Sequence, residues 1–252
     1  MTAEDDAQAL RPIHIEDGVV RRPAGAWTPT VHAFLRHLRD QGLDGVPEPL
    51  GIVGGVENLG YLDGESGSEG WFHQHTEDGL RSAAQLLRRI HDASVGWDPP
   101  SEAAWGAPTV PGEDVVVCHG DPGPWNFVWA DREAVGLLDW DFLHLAPRVD
   151  DVAYALRWFA PCRPDDEALE WHHFPEVPDR RARIGAFLDS YGPLDDFDVT
   201  ETVAARAEAT IALEAELAAA GREPQRTWVA EGSLERQHAE VRWIREHRAV
   251  LQ

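Results

Sequence analysis

Two carboxylates and one amide, each close to an apolar run, carry the chemistry that this sequence suggests. Asp121 ends the segment Cys118-His119-Gly120-Asp121, Asn126 follows five residues later, and Asp139 follows thirteen residues after that. Phosphoryl transfer needs a carboxylate that accepts the proton of the attacking hydroxyl, together with oxygen ligands that hold Mg²⁺ against the phosphates. We therefore expect Asp121 to be the catalytic base, and Asn126 and Asp139 to be the magnesium ligands.

Two apolar runs are expected to position these groups. Residues 115–117 precede the first half of the pattern and residues 135–138 precede the second, and both runs are typical of buried strands. His119 is expected to pack and hydrogen-bond within the loop rather than to act as an acid or base. Asp141 adds a carboxylate two residues after Asp139, and the sequence leaves open whether it contacts the metal or solvent.

The motif His119-Gly120-Asp121 with Asn126, followed by Asp139-Trp140, resembles the aminoglycoside phosphotransferase and choline kinase-like family of the protein-kinase-like fold. Members of that family also carry an Asp, an apolar residue and Ala at the start of a later helix. Asp151-Val152-Ala153 matches this element, and Asp151 is expected to brace the catalytic loop. The resemblance covers about residues 18–250 and is strongest in the catalytic segment.

The resemblance implies an α+β, two-lobed protein-kinase-like fold. The small N-terminal β-lobe, with one helix, would be a reduced nucleotide-binding lobe formed by residues 1–63. The larger and mostly helical C-terminal lobe, residues 64–252, would carry catalysis and acceptor binding. In the family, the backbone of the segment between the lobes meets the purine, so Tyr61 is expected to contribute to nucleotide binding.

The implied activity is Mg²⁺-dependent transfer of the γ-phosphoryl of ATP or GTP to a hydroxyl of a small molecule. An acceptor of the aminoglycoside or amino-alcohol type would lie over the Asp121 loop, walled by the last helices and by residues 160–200. Acidic candidates in that segment are Asp165, Asp166, Glu167 and Glu170. The alternative is a degenerate nucleotide-binding or regulatory protein that transfers nothing.

The sequence departs from the family in the residues that bind the nucleotide phosphates. The family uses a strand lysine that pairs with the phosphates and with a helix glutamate, whereas all 22 Lys and Arg residues of this chain are arginine. Arg21 or Arg22 matches the lysine position best, and an arginine can hold phosphate through a planar fork. No glutamate lies between residues 28 and 38, where His32 occurs, and no glycine-rich phosphate loop precedes Val19.

Composition limits the partners and the compartment. The formal net charge of −23 argues against nucleic acid and favours a cationic acceptor through long-range attraction. No apolar run is long enough to span a membrane, and residues 1–12 read as a loose acidic leader rather than a secretory signal. With two cysteines, we expect no disulfide framework and a cytoplasmic location. The oligomeric state is open.

Apolar periodicity predicts the remaining elements. Helices are expected from Thr28 to Gly42 and over about residues 77–92, 180–190, 200–220 and 233–251, and strands over residues 13–20 and 47–60. Trp158 and Trp243 fall at helical spacing and are expected in the core. The histidines in residues 72–75 and 171–174 are expected at the surface, because their spacing does not suit a metal site.

Overall fold

The computed structural model describes residues 12–252, and the acidic leader expected at the N-terminus lies almost wholly outside the described residues. A four-stranded antiparallel sheet opens the described chain, in the order β1-β2-β4-β3. Its strands are β1 (His14–Glu16), β2 (Val19–Pro23), β3 (Pro49–Val53) and β4 (Val56–Gly60). Asp17 and Gly18 join β1 to β2 in a two-residue turn with positive φ angles of 52° and 72°, which is the hairpin geometry that suits the natural twist of strands.

Helix α1 (Thr28–Asp40) lies between β2 and β3 in the chain and confirms the predicted helix. A proline in its first turn has no N–H to leave unpaired, and Gly42 follows its end with a φ of 83°. Val31, Phe34, Leu35 and Leu38 form its buried face. This face joins α1 to the core, where the Phe34 ring lies 5.7 Å from that of Trp140.

Most of the chain beyond residue 64 is helical. Its helices are α2 (Gly70–His73), α3 (Glu77–Ser94), α4 (Val149–Phe159), α5 (Asp165–Glu170), α6 (Arg180–Tyr191), α7 (Val199–Ala219), α8 (Gln225–Ala230), α9 (Ser233–Glu246) and α10 (Arg248–Leu251). The helix expected over residues 233–251 is therefore broken at His247, whose φ of −109° is not helical. None of the described helices has both the length and the apolarity needed to cross a bilayer.

Two short ribbons hold the segment that carries the motif. Strand β5 (Val115–Cys118) pairs with β8 (His144–Pro147), and β6 (Phe127–Ala130) pairs with β7 (Glu133–Leu137), all antiparallel. The loop from β5 to β6 contains residues 119–126, and Asp139 follows the end of β7. Since β5, β6 and β7 each bury two or more residues, both loops are anchored to the core. The architecture is α+β, with a small sheet-and-helix part and a larger helical part, as expected.

Candidate active site

Asp151, in the first turn of α4, holds the backbone of the loop that contains Asp121. Its carboxylate is fully buried and accepts the N–H groups of His119 at 2.6 Å and Gly120 at 2.8 Å. His91 of α3 lies 3.1 Å from the same carboxylate, and its other ring nitrogen lies 2.6 Å from the hydroxyl of Tyr191. Asp151 therefore braces the loop, in agreement with the sequence-based expectation, and does so through α3 and α6.

The charge on Asp151 is stabilised by its hydrogen bonds. Burial by itself raises the pKa of this carboxyl, but the hydrogen bond and charge of His91 and the neighbouring His119 outweigh burial and hold the pKa well below its ordinary value. A carboxyl whose folded pKa is depressed stabilises the fold above its unfolded pKa. That contribution is lost as the pH falls.

Asp151→Asn is expected to lower the free energy of unfolding at pH 7 by about 2–4 kcal/mol, because an amide leaves buried N–H groups poorly paired. The wild-type protein should begin to lose this contribution as the pH falls below about 4, the unfolded carboxyl pKa, and should lose the rest only as the pH approaches the lower folded pKa, while the variant should not. Urea unfolding from pH 3 to 7 measures both effects. Asp195→Asn, at an exposed carboxylate, is the control. Equal stability of Asp151→Asn and wild type would contradict the bracing role.

His119 links this loop to the segment before Asp139. Its ring is buried, and Nδ1 accepts the N–H of Asp121 at 3.2 Å. The proton therefore belongs on Nε2, which donates to the carbonyl of Leu138 at 2.7 Å. Burial lowers the pKa of His119 and favours this neutral form. Gly120 has a φ of +87°, and a Cβ there would lie 2.4 Å from the carbonyl oxygen of Phe142, so glycine is required.

Asp121 is held by groups from two different segments. Tyr154 of α4 donates its hydroxyl to Oδ1, and the amide of Asn126 donates to Oδ2 at 2.9 Å and to the carbonyl of Asp121 at 2.8 Å. Asp121 keeps some contact with solvent, yet burial among protein atoms raises its pKa to about 7, while the Tyr154 hydrogen bond opposes that rise. The carboxylate is therefore fixed in orientation and more basic than an exposed one.

Sequence reasoning missed Tyr154. The available signal was its position three residues after Asp151, which places both side chains on one side of α4. Arg206 of α7 lies 4.8 Å from the Tyr154 ring and donates to the carbonyl of Gly120 at 2.7 Å and to Asp150 at 2.8 Å. A helix near the end of the chain thus supports the same loop.

The two loops that carry the candidate metal ligands Asn126 and Asp139 are joined by a backbone hydrogen bond. The N–H of Leu138 donates to the carbonyl of Asn126 at 2.7 Å, which joins the two loops one residue before Asp139. The side-chain nitrogen of Asn126 is turned to Asp121, so its oxygen is turned away from that carboxylate. Asp139 has a left-handed φ of 55°, and its side chain is 41% exposed. An amide and a carboxylate oxygen are donors that suit Mg²⁺.

Arg22 joins the sheet to this site. Its guanidinium donates through Nη1 to Asp139 at 2.7 Å, through Nη2 to Asp141 at 3.0 Å, and through Nε to Glu57 at 2.5 Å. Although burial opposes the charge, these carboxylates raise the pKa of Arg22 above its ordinary value. Arg21 extends to the other face of β2, where it lies 3.5 Å from the exposed Glu16. The structure therefore brings Arg22, and not Arg21, to Asp139.

A strand supplies the glutamate that the sequence lacks on α1. Glu57 of β4 lies directly opposite Arg22 of β2 and is 1% exposed. His32 of α1 completes the arrangement, with Nε2 3.0 Å from Glu57. Sequence reasoning looked for this acid only on the helix, although the alternation of β4 buries Glu57 beside Leu59. Arg22, Glu57 and His32 therefore form a buried charged cluster that reaches Asp139 through Arg22.

The remaining site candidates are placed less centrally. Asp141 is buried and receives Arg22 and the indole N–H of Trp27 at 3.2 Å, so its carboxylate faces protein donors. Tyr61 follows β4 with its side chain 43% exposed, and its N–H is bonded to the carbonyl of Gly18 at 2.9 Å. Any backbone contact of Tyr61 with a purine must therefore use the carbonyl.

Arginines accompany the acidic residues expected to wall the acceptor. Asp165 lies 2.9 Å from Arg180, and Glu167 lies 4.0 Å from Arg163. The two arginines are nearly buried, whereas the side chains of Asp165 and Glu167 are 59% and 50% exposed. The charge of this segment is thus partly neutralised by its own side chains.

Comparison with known proteins places the chain in a family. The model of the phosphotransferase enzyme family matches residues 100–185, which contain the Asp121 loop, Asp139 and α4. The trifolitoxin immunity protein of Rhizobium leguminosarum bv. trifolii is 32% identical over 183 residues, which cover 69% of this chain and 68% of that protein.

Solved structures share the fold at low identity. A choline/ethanolamine kinase family protein from Mesorhizobium loti aligns over 96% of this chain and 89% of its own, with 15% identity and a TM-score of 0.59. An amicoumacin kinase in complex with AMP-PNP and Ca²⁺ aligns over 92% and 88%, with 10% identity and a TM-score of 0.62. The chain therefore has a two-lobed, protein-kinase-like α+β fold and belongs to the phosphotransferase enzyme family.

Proposed function

We propose that this protein is a Mg²⁺-dependent kinase that transfers the γ-phosphoryl group of ATP or GTP to a hydroxyl of a small molecule. The observation that carries the proposal is the Asp121 carboxylate. It is oriented by hydrogen bonds from Tyr154 and Asn126. The carbonyl of Asn126 accepts the N–H of Leu138, the residue before Asp139, and Arg22 donates to Asp139. A base, two oxygen ligands and a fixed cation are the parts that phosphoryl transfer requires.

In this mechanism the acceptor oxygen forms a bond to the γ-phosphorus while the bond between that phosphorus and the β–γ bridging oxygen breaks. Asp121 orients the acceptor hydroxyl and receives its proton, and the nucleoside diphosphate leaves. Positioning dominates in a loose transition state, so a carboxylate with a pKa of about 7 is basic enough. Asn126 and Asp139 would hold Mg²⁺, which neutralises charge on the phosphates.

The sheet offers the nucleotide an apolar face next to Arg22. Ile15, Val20 and Leu59 share one face of the sheet with Arg22, because residues opposite each other or two apart point the same way. Ile15 is 59% exposed and Val20 is partly exposed. A purine lying on this face would place its phosphates toward Arg22 and the two metal ligands.

The comparisons suggest a protective role for the reaction. One relative is a trifolitoxin immunity protein, and one structural neighbour is an amicoumacin kinase in complex with AMP-PNP. We propose that the acceptor is a hydroxyl-bearing antibacterial compound or a related natural product, and that its phosphorylation protects the cell. Expression in a sensitive host should raise the inhibitory concentration of the acceptor, and Asp121→Asn should abolish this effect.

A thermal-shift titration combined with phosphorus NMR tests the proposal. Mg²⁺ with ATP or GTP should raise Tm, and the Mg²⁺-dependent part of the rise should disappear in Asp139→Ala but persist in Asp195→Ala, a matched change at an exposed loop. Phosphorus NMR should then show a new phosphoester in a panel of hydroxyl-bearing antibiotics, sugars and amino alcohols. Stabilisation by metal-free nucleotide only, with no phosphoester from any acceptor, would instead establish the degenerate nucleotide-binding protein.

A further inference from the structure

Three tryptophans form a surface next to the catalytic carboxylate. The rings of Trp71 and Trp125 lie 5.0 Å apart, Trp125 and Trp158 lie 4.8 Å apart, and Trp71 and Trp158 lie 5.8 Å apart. All three side chains are partly exposed. Trp125 lies close enough to Asp121 to lower the pKa of that carboxyl, and the Trp158 ring lies 6.2 Å from that of Tyr154, whose hydroxyl donates to Asp121. This tryptophan cluster therefore adjoins the group that would receive the acceptor hydroxyl.

The packing of the tryptophan cluster differs from the sequence-based expectation. Trp158 was expected in the core but keeps an exposed part, whereas His172 was expected at the surface but is fully buried. The His172 ring is stacked 5.6 Å from Trp158 and meets Trp71 edge-on at 4.9 Å. Within the described part of the chain, neither ring nitrogen of His172 has a hydrogen-bond partner, nor does the indole nitrogen of Trp158.

Positive charge lies behind the tryptophan cluster. The guanidinium groups of Arg157 and Arg163 lie 4.9 and 4.6 Å from the Trp158 ring, and both arginines pair with the buried Glu240. Burial and the charges of these two arginines lower the pKa of His172 well below its ordinary value. A ring that already binds two protein cations gains little from a third, and a cationic ligand would meet repulsion there.

From this geometry we propose that the tryptophan cluster binds the acceptor and that the acceptor is an uncharged, ring-shaped polyol of the sugar type. The inference rests on the function proposed above, since it assumes that Asp121 orients the acceptor hydroxyl and receives its proton. A sugar ring has an apolar C–H face that packs on an indole and hydroxyl groups at its edge that reach polar partners. When the sugar ring packs its C–H face on Trp125, one of its hydroxyl groups lies at Asp121.

The overall acidity of the chain does not oppose this assignment. The net charge of −23 acts over long distances and is screened by salt, so it attracts cations to the molecule as a whole. Contact selectivity depends instead on the groups that face the ligand. At the tryptophan cluster these are three indoles backed by Arg157 and Arg163, with the Asp121 carboxylate as the partner of a ring hydroxyl.

Fluorine NMR of protein labelled with 5-fluorotryptophan tests the inference without nucleotide. The resonances of Trp71, Trp125 and Trp158 are assigned from single Trp→Phe variants. Methyl α-D-glucopyranoside and myo-inositol are the neutral probes, and choline and kanamycin are the cationic probes. The neutral rings should shift the three resonances and bind more tightly than choline or kanamycin at these positions. Tighter binding of the cationic probes there, or no shift by either neutral ring, would overturn the inference.

Variants sharpen the same measurement. Trp125→Ala should weaken binding of the neutral rings by about tenfold or more, and Trp125→Phe, which keeps an aromatic face, should weaken it less. Trp243→Ala, on α9 beside His247, is the matched control and should leave binding unchanged. An equal loss in Trp125→Ala and Trp243→Ala, with both variants folded, would contradict the assignment.

Different results would contradict the proposed kinase function and the proposed neutral-ring acceptor. A protein that binds neutral rings at the tryptophan cluster but forms no phosphoester with any acceptor contradicts the proposed function and leaves the binding surface standing. A protein that phosphorylates cationic acceptors while the three resonances stay unshifted by neutral rings contradicts the inference and supports the kinase.

Discussion

Replacing Asp121 with asparagine is expected to lower kcat for phosphoryl transfer by on the order of 10³-fold, because the amide cannot accept the acceptor proton. The change is isosteric: the new amide oxygen can accept from Asn126, and the new amide nitrogen can donate to the hydroxyl oxygen of Tyr154, which donates in the wild type. Nucleotide affinity, measured by titration calorimetry with Mg²⁺, should change by less than about twofold, since Asp121 acts on the acceptor.

The matched control for this variant is Asp131→Asn. Asp131 lies in the turn between β6 and β7, is exposed, and has a left-handed φ of 48° that asparagine tolerates well. It should keep wild-type kcat and nucleotide affinity. If Asp121→Asn were folded and as active as Asp131→Asn, the role of Asp121 as base would be refuted, and another group would have to orient the hydroxyl.

Arg22→Lys is expected to reduce kcat/KM for the nucleotide by about 10–100-fold, because one or more hydrogen bonds to charged groups, each worth about 1.5–3 kcal/mol, are lost. The planar fork of Arg22 serves Glu57, Asp139 and Asp141 at once. A lysine keeps the positive charge but is a single point charge that cannot reproduce that fork. The experiment therefore separates the geometry of the side chain from its charge at position 22.

Arg21→Lys is the matched control, because it makes the same chemical change on the neighbouring residue. Arg21 is partly exposed, and within the described residues its ion-pair partner is the exposed Glu16. The kcat/KM of Arg21→Lys should therefore stay within about twofold of wild type. Thermal unfolding of both variants checks that the fold is intact. Equal losses in the two variants, or a loss confined to Arg21→Lys, would show that Arg22 does not hold the phosphates.

The motif and most elements were predictable because they depend on local sequence. His119-Gly120-Asp121, Asn126 and Asp139 are joined by short loops between apolar strands, so their spacing alone indicates a shared site. Helices α1, α3 and α6 follow from apolar residues at helical spacing. A regular period states which side of an element is buried, whereas the α+β architecture and the family were indicated by the resemblance of the motif to a known family.

The partners of those residues were decided by the tertiary structure alone. Arg22 and Asp139 are separated by 117 residues, and Tyr154 and Asp121 by 33 residues, so no local pattern pairs them. Period alone could not choose Arg22 over Arg21 or pair it with Glu57, because the choice depends on which face of the sheet packs over the Asp139 loop. Sequence by itself thus determined the candidate groups and the elements that carry them. The three-dimensional packing decided which charges and rings surround those groups, since long-range contacts, and not the period of any one element, bring them together.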